Sequence, residues 1–155
     1  MHKWNRLSFL LPSIGLVALG AACGGSSSSS SGSLGPGYYI SISNLTYSPL
    51  NLEAPPGATV TVLNFDSPMA HSVTSEAVPA TYEHNTTGIS FDTGAISGTS
   101  GSFALPMTAP AGTVLNFYCT QHLATMLTPN GTITVNPNAQ PSQPPPNPGG
   151  GYVGY

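Results

Sequence analysis

The stretch TVLNFYCTQHLATM at residues 113–126 joins a β-type run to a loop that carries sulfur and imidazole groups. The run at 113–119 predicts a short strand that delivers Cys119 at its end. His122 follows three residues later, and Met126 follows four after that. The spacing therefore predicts a thiol, an imidazole and a thioether grouped at the end of one strand.

Similar short β-type runs fill the rest of the central sequence, separated by Gly and Pro turns. They lie at residues 38–45, 50–53, 59–65, 71–75, 101–105 and 132–135. No long helical period appears, and the less regular stretch 76–96 predicts a short helix or a long loop. Many short strands with turn residues between them predict an all-β, antiparallel Greek-key sandwich.

The two ends of the chain differ in composition from this middle part. Residues 1–22 predict a signal peptide with a positive start, an apolar run and small residues before Cys23. That ending resembles a bacterial lipobox, in which the Cys is diacylated. An ordinary secretory signal with an incidental Cys23 is the alternative. Residues 23–37 predict a disordered Ser/Gly tether and 138–155 a disordered or extended Pro/Gly tail, which leaves 38–137 as the folded domain.

The predicted domain contains no Lys or Arg and only a few acids. This excludes nucleic acid, which needs cationic contacts, and excludes a basic patch for anionic lipid. With Cys23 acylated, Cys119 is the sole free thiol. We therefore expect an exported monomer, held to the lipid bilayer of a bacterial membrane through Cys23, on its periplasmic or cell-surface side.

A second imidazole completes a recognisable donor set. His71 lies at the start of another β-type run, 48 residues before Cys119, and a sandwich can bring two such strand ends together. Two imidazoles and one thiolate with a weak thioether suit copper that cycles between two oxidation states. Zinc has little use for a thioether, and an iron–sulfur cluster needs more cysteines than the chain contains.

This pattern, Cys-x₂-His-x₃-Met after a Tyr-Cys strand with His-Ser-Val upstream, resembles the cupredoxin (blue-copper) family, closest to its plastocyanin-like members. The resemblance implies a cupredoxin-like sandwich and one type 1 copper ion. It implies that His71, Cys119 and His122 are the strong ligands and that Met126 is the axial one. It also implies that Ser72, where Asn is common, ties the two ligand segments together.

In that family the C-terminal ligand His is partly exposed within an apolar patch. Here the residues expected to form the patch around His122 are Pro68, Met69, Leu123 and Ala124. The resemblance thus implies a non-enzymatic carrier of single electrons between exported or membrane-bound redox proteins. Copper storage, delivery or sensing, and a purely structural surface sandwich, are the alternatives.

Other interpretations of single residues remain open at this point. Cys119 taken alone fits a buried core thiol. Met69 and Met107 are rival thioethers, interpreted as packing residues near the site, and His84 is expected to be exposed to solvent.

Overall fold

The computed structural model describes residues 33–148, and nearly all regular structure within them is β-strand. The strands are β1 Tyr38–Ser43, β2 Thr46–Ser48, β3 Asn51–Ala54, β4 Thr59–Asn64, β5 Thr74–Glu76, β6 Ser100–Ala104, β7 Val114–Tyr118 and β8 Asn130–Val135, with a 3₁₀ turn at Leu123–Thr125. No helix within this range is long and apolar enough to cross a membrane. The predicted signal, Cys23, the first part of the tether and the last residues of the tail lie outside the described residues.

The strands form two four-stranded sheets, in the orders β2-β1-β4-β6 and β3-β8-β7-β5. The chain passes repeatedly from one sheet to the other, and the predicted all-β Greek-key sandwich is confirmed. The expectation of purely antiparallel pairing is wrong, because β1 pairs with β4 and β3 pairs with β8 in parallel. After β2 the chain crosses to the second sheet for β3, and so β4 returns beside β1 in the same direction.

The core lies between the sheets and follows from the period-2 pattern of the strands. In β4, Val60 and Val62 are fully buried, whereas Thr59 on the other face is exposed. Phe91 and Phe103 stack at 4.3 Å between ring centroids, and Tyr47 meets Phe117 edge-on at 5.0 Å. Tyr47 lies on β2, a three-residue strand that the sequence pattern did not predict.

After Glu76, the last residue of β5, residues 77–96 form a long loop with no helix, one of the two structures expected for the stretch 76–96. The buried Glu76 organises its first part, because the carboxylate accepts the backbone N–H groups of Ala80 and Tyr82 at 3.1 and 3.0 Å. Isolated bridges tie the loop back to β5, pairing Glu76 with His84 and Thr74 with Asp92. The loop is therefore held by backbone and carboxylate hydrogen bonds.

The chain remains packed on the domain beyond Pro137. Of the two forms expected for the tail, its described part is therefore extended rather than disordered. Ser142 pairs with Gly37 through two backbone hydrogen bonds of 2.8 Å, and Pro144 is buried. Backbone pairing needs no apolar side chains, which explains why composition did not predict it. Gly37 precedes β1, which begins beside the start of β4, so this pairing lies at the end of the sandwich opposite the loop that follows β4.

Gly131 provides a test of how tightly the second sheet packs. Gly131 lies opposite Phe117, and a Cβ at this position would approach Cζ of the fully buried Phe117 ring to 2.2 Å. We expect Gly131→Ala to lower the free energy of unfolding by about 1–3 kcal/mol, because the core must shift to admit the methyl group. Urea denaturation measures this loss.

Gly98→Ala is the matched control, because no residue beyond its two chain neighbours has an atom within 4 Å of the place that its new methyl group would take. It should leave the urea midpoint nearly unchanged. Equal midpoints for the two variants would show that the Phe117 ring moves aside without cost.

Candidate metal centre

Cys119 is the first residue after β7 and is completely buried. The chain then turns at once, because the Leu123 N–H donates to the Cys119 carbonyl at 2.9 Å and the Thr125 N–H donates to the His122 carbonyl at 2.7 Å. This tight turn folds His122 back over the strand end. Its Nδ1 lies 3.7 Å from the Cys119 Sγ.

His71 lies beside the same thiol but belongs to a second ligand segment, the residues that lead into β5. The register of β5 and β7 sets Thr74 opposite Tyr118, which puts the start of β5 beside the end of β7. The backbone of His71 is fixed by two hydrogen bonds to Ile96, of 3.1 and 2.7 Å. Its Nδ1 lies 3.8 Å from the Cys119 Sγ.

The loop before His71 is held by Asn64, a residue whose role the sequence did not reveal. Its side-chain amide donates to the carbonyls of Met69 and Ile96 at 2.8 and 2.9 Å, and its Oδ1 accepts the Asp66 N–H at 3.1 Å. The buried Asn64 amide thus fixes both the loop before His71 and the backbone of Ile96, which pairs with His71.

The three donor atoms of His71, Cys119 and His122 lie within 4.8 Å of one another. A thiolate about 2.3 Å and an imidazole nitrogen about 2.0–2.1 Å from one ion would be about 3.6 Å apart at a tetrahedral angle and about 3.8 Å apart at a trigonal one. The observed separations of 3.7 and 3.8 Å fall within this range. One thiol and two imidazoles therefore meet with the spacing that a single metal ion requires.

Ser72 ties the two ligand segments together by direct hydrogen bonds. Its hydroxyl accepts the Thr120 N–H at 2.9 Å and also bonds the hydroxyls of Thr120 and Thr74, at 3.0 and 2.9 Å. Its backbone N–H points at the Cys119 Sγ from 3.4 Å. Thr74 in turn donates to Asp92 at 2.7 Å. Thr120, which the sequence did not single out, thus supplies the hydroxyl and the N–H group that Ser72 bonds in the segment of Cys119 and His122.

Tyr47 lies behind the thiol and was also missed from the sequence. Its hydroxyl donates to the Ser72 carbonyl at 2.7 Å, and the residue is 1% exposed. Burial raises the pKa of Tyr47, and the nearby Cys119 raises it further. A phenol far from Cys119 in the chain is therefore held neutral beside the sulfur.

The raised pKa of Tyr47 predicts a loss of stability in alkali. Above about pH 10 the unfolded chain releases the Tyr47 proton while the folded protein keeps it. The folded state then binds more protons, so stability falls as pH rises, by about 1.4 kcal/mol per pH unit for this one group.

Urea denaturation between pH 9 and 11 measures this slope. Tyr47→Phe should show a flatter dependence than the unsubstituted protein, because phenylalanine has no proton to lose. An identical slope in both proteins would contradict the assignment.

The second ring nitrogen of His71, Nε2, lies close to the Asp66 carboxylate. Its distance from Asp66 Oδ2 is 3.3 Å, within ion-pair range but without a hydrogen bond. Burial lowers the pKa of His71, and the charge of His122 lowers it further, whereas Asp66 acts in the opposite direction. Asp66 is one of two aspartates in the chain and precedes His71 by five residues, a signal that could have marked it.

The remaining predicted site residues fall into two groups. Met126 is buried in the core directly after the 3₁₀ turn. The proposed patch residues Pro68, Met69, Leu123 and Ala124 are all exposed, and His122 is half-buried.

Met69 and Met107 are both exposed, so their interpretation as packing residues is wrong. Met69 lies two residues before His71 and so is near the site as expected, whereas Met107 is not. Met107 lies against Gly57, before β4, at the end of the sandwich opposite the cluster. Gly57 has no Cβ to fill that place, so the methionine rests on the surface there. His84 is exposed, as expected.

No protein-family model matches the chain, and no curated protein matches it. Among solved structures, a purple cupredoxin from Nitrosopumilus maritimus is 26% identical, over 64% of this chain and 99% of the other, with a TM-score of 0.46. Amicyanin from Paracoccus versutus is 17% identical, over 64% of this chain and 81% of the other, with a TM-score of 0.44. An oxidised mutant of amicyanin is 19% identical, over 64% and 82%, with a TM-score of 0.46.

Proposed function

We propose that this protein is a cupredoxin-like type 1 copper protein that carries single electrons. The observation that supports this most directly is the convergence of the Cys119 Sγ with Nδ1 of His71 and of His122. Copper bound there would supply the chemistry, by alternating between Cu(I) and Cu(II). The proposed ligands are these three residues, with Met126 as the axial thioether.

The donor set favours copper over zinc. A soft thiolate suits Cu(I), imidazoles serve both oxidation states, and a trigonal His₂Cys arrangement is typical of electron-transfer copper. Structural zinc sites are tetrahedral and closed by four strong ligands, whereas the cluster within residues 33–148 offers three.

The protein's own contribution is to hold these side chains in one arrangement. Ser72 and Thr120 join the two ligand segments, and Asn64 and Ile96 fix the backbone that leads to His71. A site that moves little between two oxidation states needs little reorganisation when an electron arrives. The hydrogen bonds that fix the ligands therefore favour rapid electron transfer over a function that needs a structural change.

The proposed route for electrons is the half-buried edge of His122. Pro68, Met69, Leu123 and Ala124 offer an exposed apolar surface for a redox protein to contact. The described residues contain no Lys or Arg, so we expect brief, largely apolar docking without strong steering by acidic partners. We further propose an exported monomer anchored to a bacterial membrane by lipid on Cys23.

Copper storage or delivery is the rival function for the same ligands. Handing an ion to another protein requires ligands that the acceptor can reach. Cys119 and His71 are both fully buried, which favours retention of the ion through many redox cycles.

Absorption and EPR spectra of the full chain after addition of Cu(II) test the proposal. We expect intense visible absorption from thiolate-to-copper charge transfer, which disappears on reduction and returns on oxidation. Zinc-loaded protein is the colourless control. Copper-loaded protein that stays colourless would contradict the proposal, and rapid loss of copper to a chelator during redox cycling would favour delivery instead.

A further inference from the structure

Two backbone hydrogen bonds hold the Asp66 carboxylate in place beside His71. Its carboxylate accepts the backbone N–H groups of Asn44 and Leu45, at 2.6 and 2.9 Å. Both of those residues have positive φ, 51° and 58°, a conformation that non-glycine residues rarely adopt. A strained turn thus aims two donors at one carboxylate, and N–H bonds to a carboxylate are among the stronger hydrogen bonds in proteins.

The same carboxylate faces a nitrogen that has no other partner. His71 is completely buried, and its Nε2 forms no hydrogen bond with any group in the described part of the chain. Asp66 Oδ2, at 3.3 Å, is the polar atom near it, and the Asp66 side chain is itself only 13% exposed. The charge therefore acts through a partly dry environment, where its effect is stronger than at an open surface.

We propose that Asp66 is a positioning residue that sets the electron density of His71 and lowers the reduction potential of the site. This rests on the proposed copper function. A carboxylate beside the outer nitrogen makes a ligand imidazole a better electron donor and fixes the ring. A negative charge also stabilises Cu(II), with its higher charge, more than it stabilises Cu(I).

Asp66→Asn tests the proposal, because it keeps the shape of the side chain and removes the charge. Loss of such outer partners typically changes metal affinity by about 10–100-fold. We expect Cu(II) affinity to fall about tenfold relative to Cu(I) affinity, which raises the potential by about 59 mV for one electron. Asp66→Glu, which keeps the charge, should lie closer to the unsubstituted protein.

Glu53→Gln is the matched control for removal of one negative charge. Glu53 is exposed on β3 and bonds Asn136. It lies level with Thr134 and Val114, at the start of β7, whereas Cys119 follows the end of that strand. Glu53→Gln should leave the potential unchanged. Equal potentials for Asp66→Asn and Glu53→Gln would overturn the proposal. Failure of the unsubstituted protein to form a coloured copper site would instead overturn the proposed function.

A second measurement applies even if Asp66→Asn does not fold. The chain contains two aspartates, Asp66 and Asp92, so ¹³C-aspartate labels only these carboxylates. Infrared difference spectra between the oxidised and reduced copper protein should show a labelled carboxylate band that shifts with redox state and persists in Asp92→Asn. Absence of any labelled band would overturn the proposal.

Discussion

Copper-loaded Cys119→Ser should lose the intense visible absorption completely. Serine differs from cysteine by one atom and fits the same buried position, so the fold should survive. A hydroxyl is not ionised at neutral pH as a metal-facing thiol is, and it cannot supply the sulfur-to-copper transition. Absorption spectroscopy measures the loss, and EPR shows whether Cu(II) remains bound through the imidazoles of His71 and His122.

The chain supplies its own matched control, since it contains two cysteines. Cys23→Ser removes the other sulfur and should leave the absorption intact. If Cys23→Ser also bleaches the protein, the sulfur has been assigned to the wrong residue. If Cys119→Ser keeps its colour, the thiol at 119 is only a small core residue.

The part of the ligand cluster around Cys119 could be predicted because its information is local. Cys119 and His122 are three residues apart at the end of a strand, and the tight turn between them follows from that spacing. The role of Ser72 was implied by the family resemblance, from its position directly after His71. Its proposed tie to the second ligand segment is present as hydrogen bonds to Thr120.

The parts that were missed depend on contacts between distant segments. Tyr47 approaches Cys119 from a strand 72 positions earlier (119 − 47), and nothing near Tyr47 in the sequence marks it. Parallel pairing of β1 with β4 likewise depends on the path of the chain through the other sheet. The described part of the tail pairs through backbone atoms, and side-chain composition does not predict such pairing.

These contacts explain why a domain with so few charges still fixes its site. Apart from the Asp66 carboxylate, the groups that orient the ligands are hydroxyls, amides and one phenol, and most are buried. Inside a low-dielectric core such bonds are costly to leave unmade, so they specify one arrangement. Most of these hydrogen bonds involve Ser72, so we expect its substitution to have the second large effect on the protein.

Ser72→Ala should weaken both the fold and the site. The substitution leaves the Thr120 N–H without its partner and removes one of the bonds of the buried Thr74 hydroxyl, which costs about 1–3 kcal/mol of unfolding free energy. It also frees the two ligand segments from each other, so we expect copper affinity to fall by about 10–100-fold. Urea denaturation and competition with a copper chelator measure the two losses separately.

Ser41→Ala distinguishes a loss of stability from a loss of ligand positioning. Ser41 is also a buried serine, and its hydroxyl donates to the Ser48 carbonyl at 3.1 Å on β2, without bonding either ligand segment. It should lower stability while copper affinity stays unchanged. If Ser72→Ala behaves in the same way, the ligand segments are held by β5 and β7 alone, and the Ser72–Thr120 tie is only part of the general core. A fall in affinity confined to Ser72→Ala would instead show that one hydroxyl couples the segment carrying His71 to the loop carrying His122.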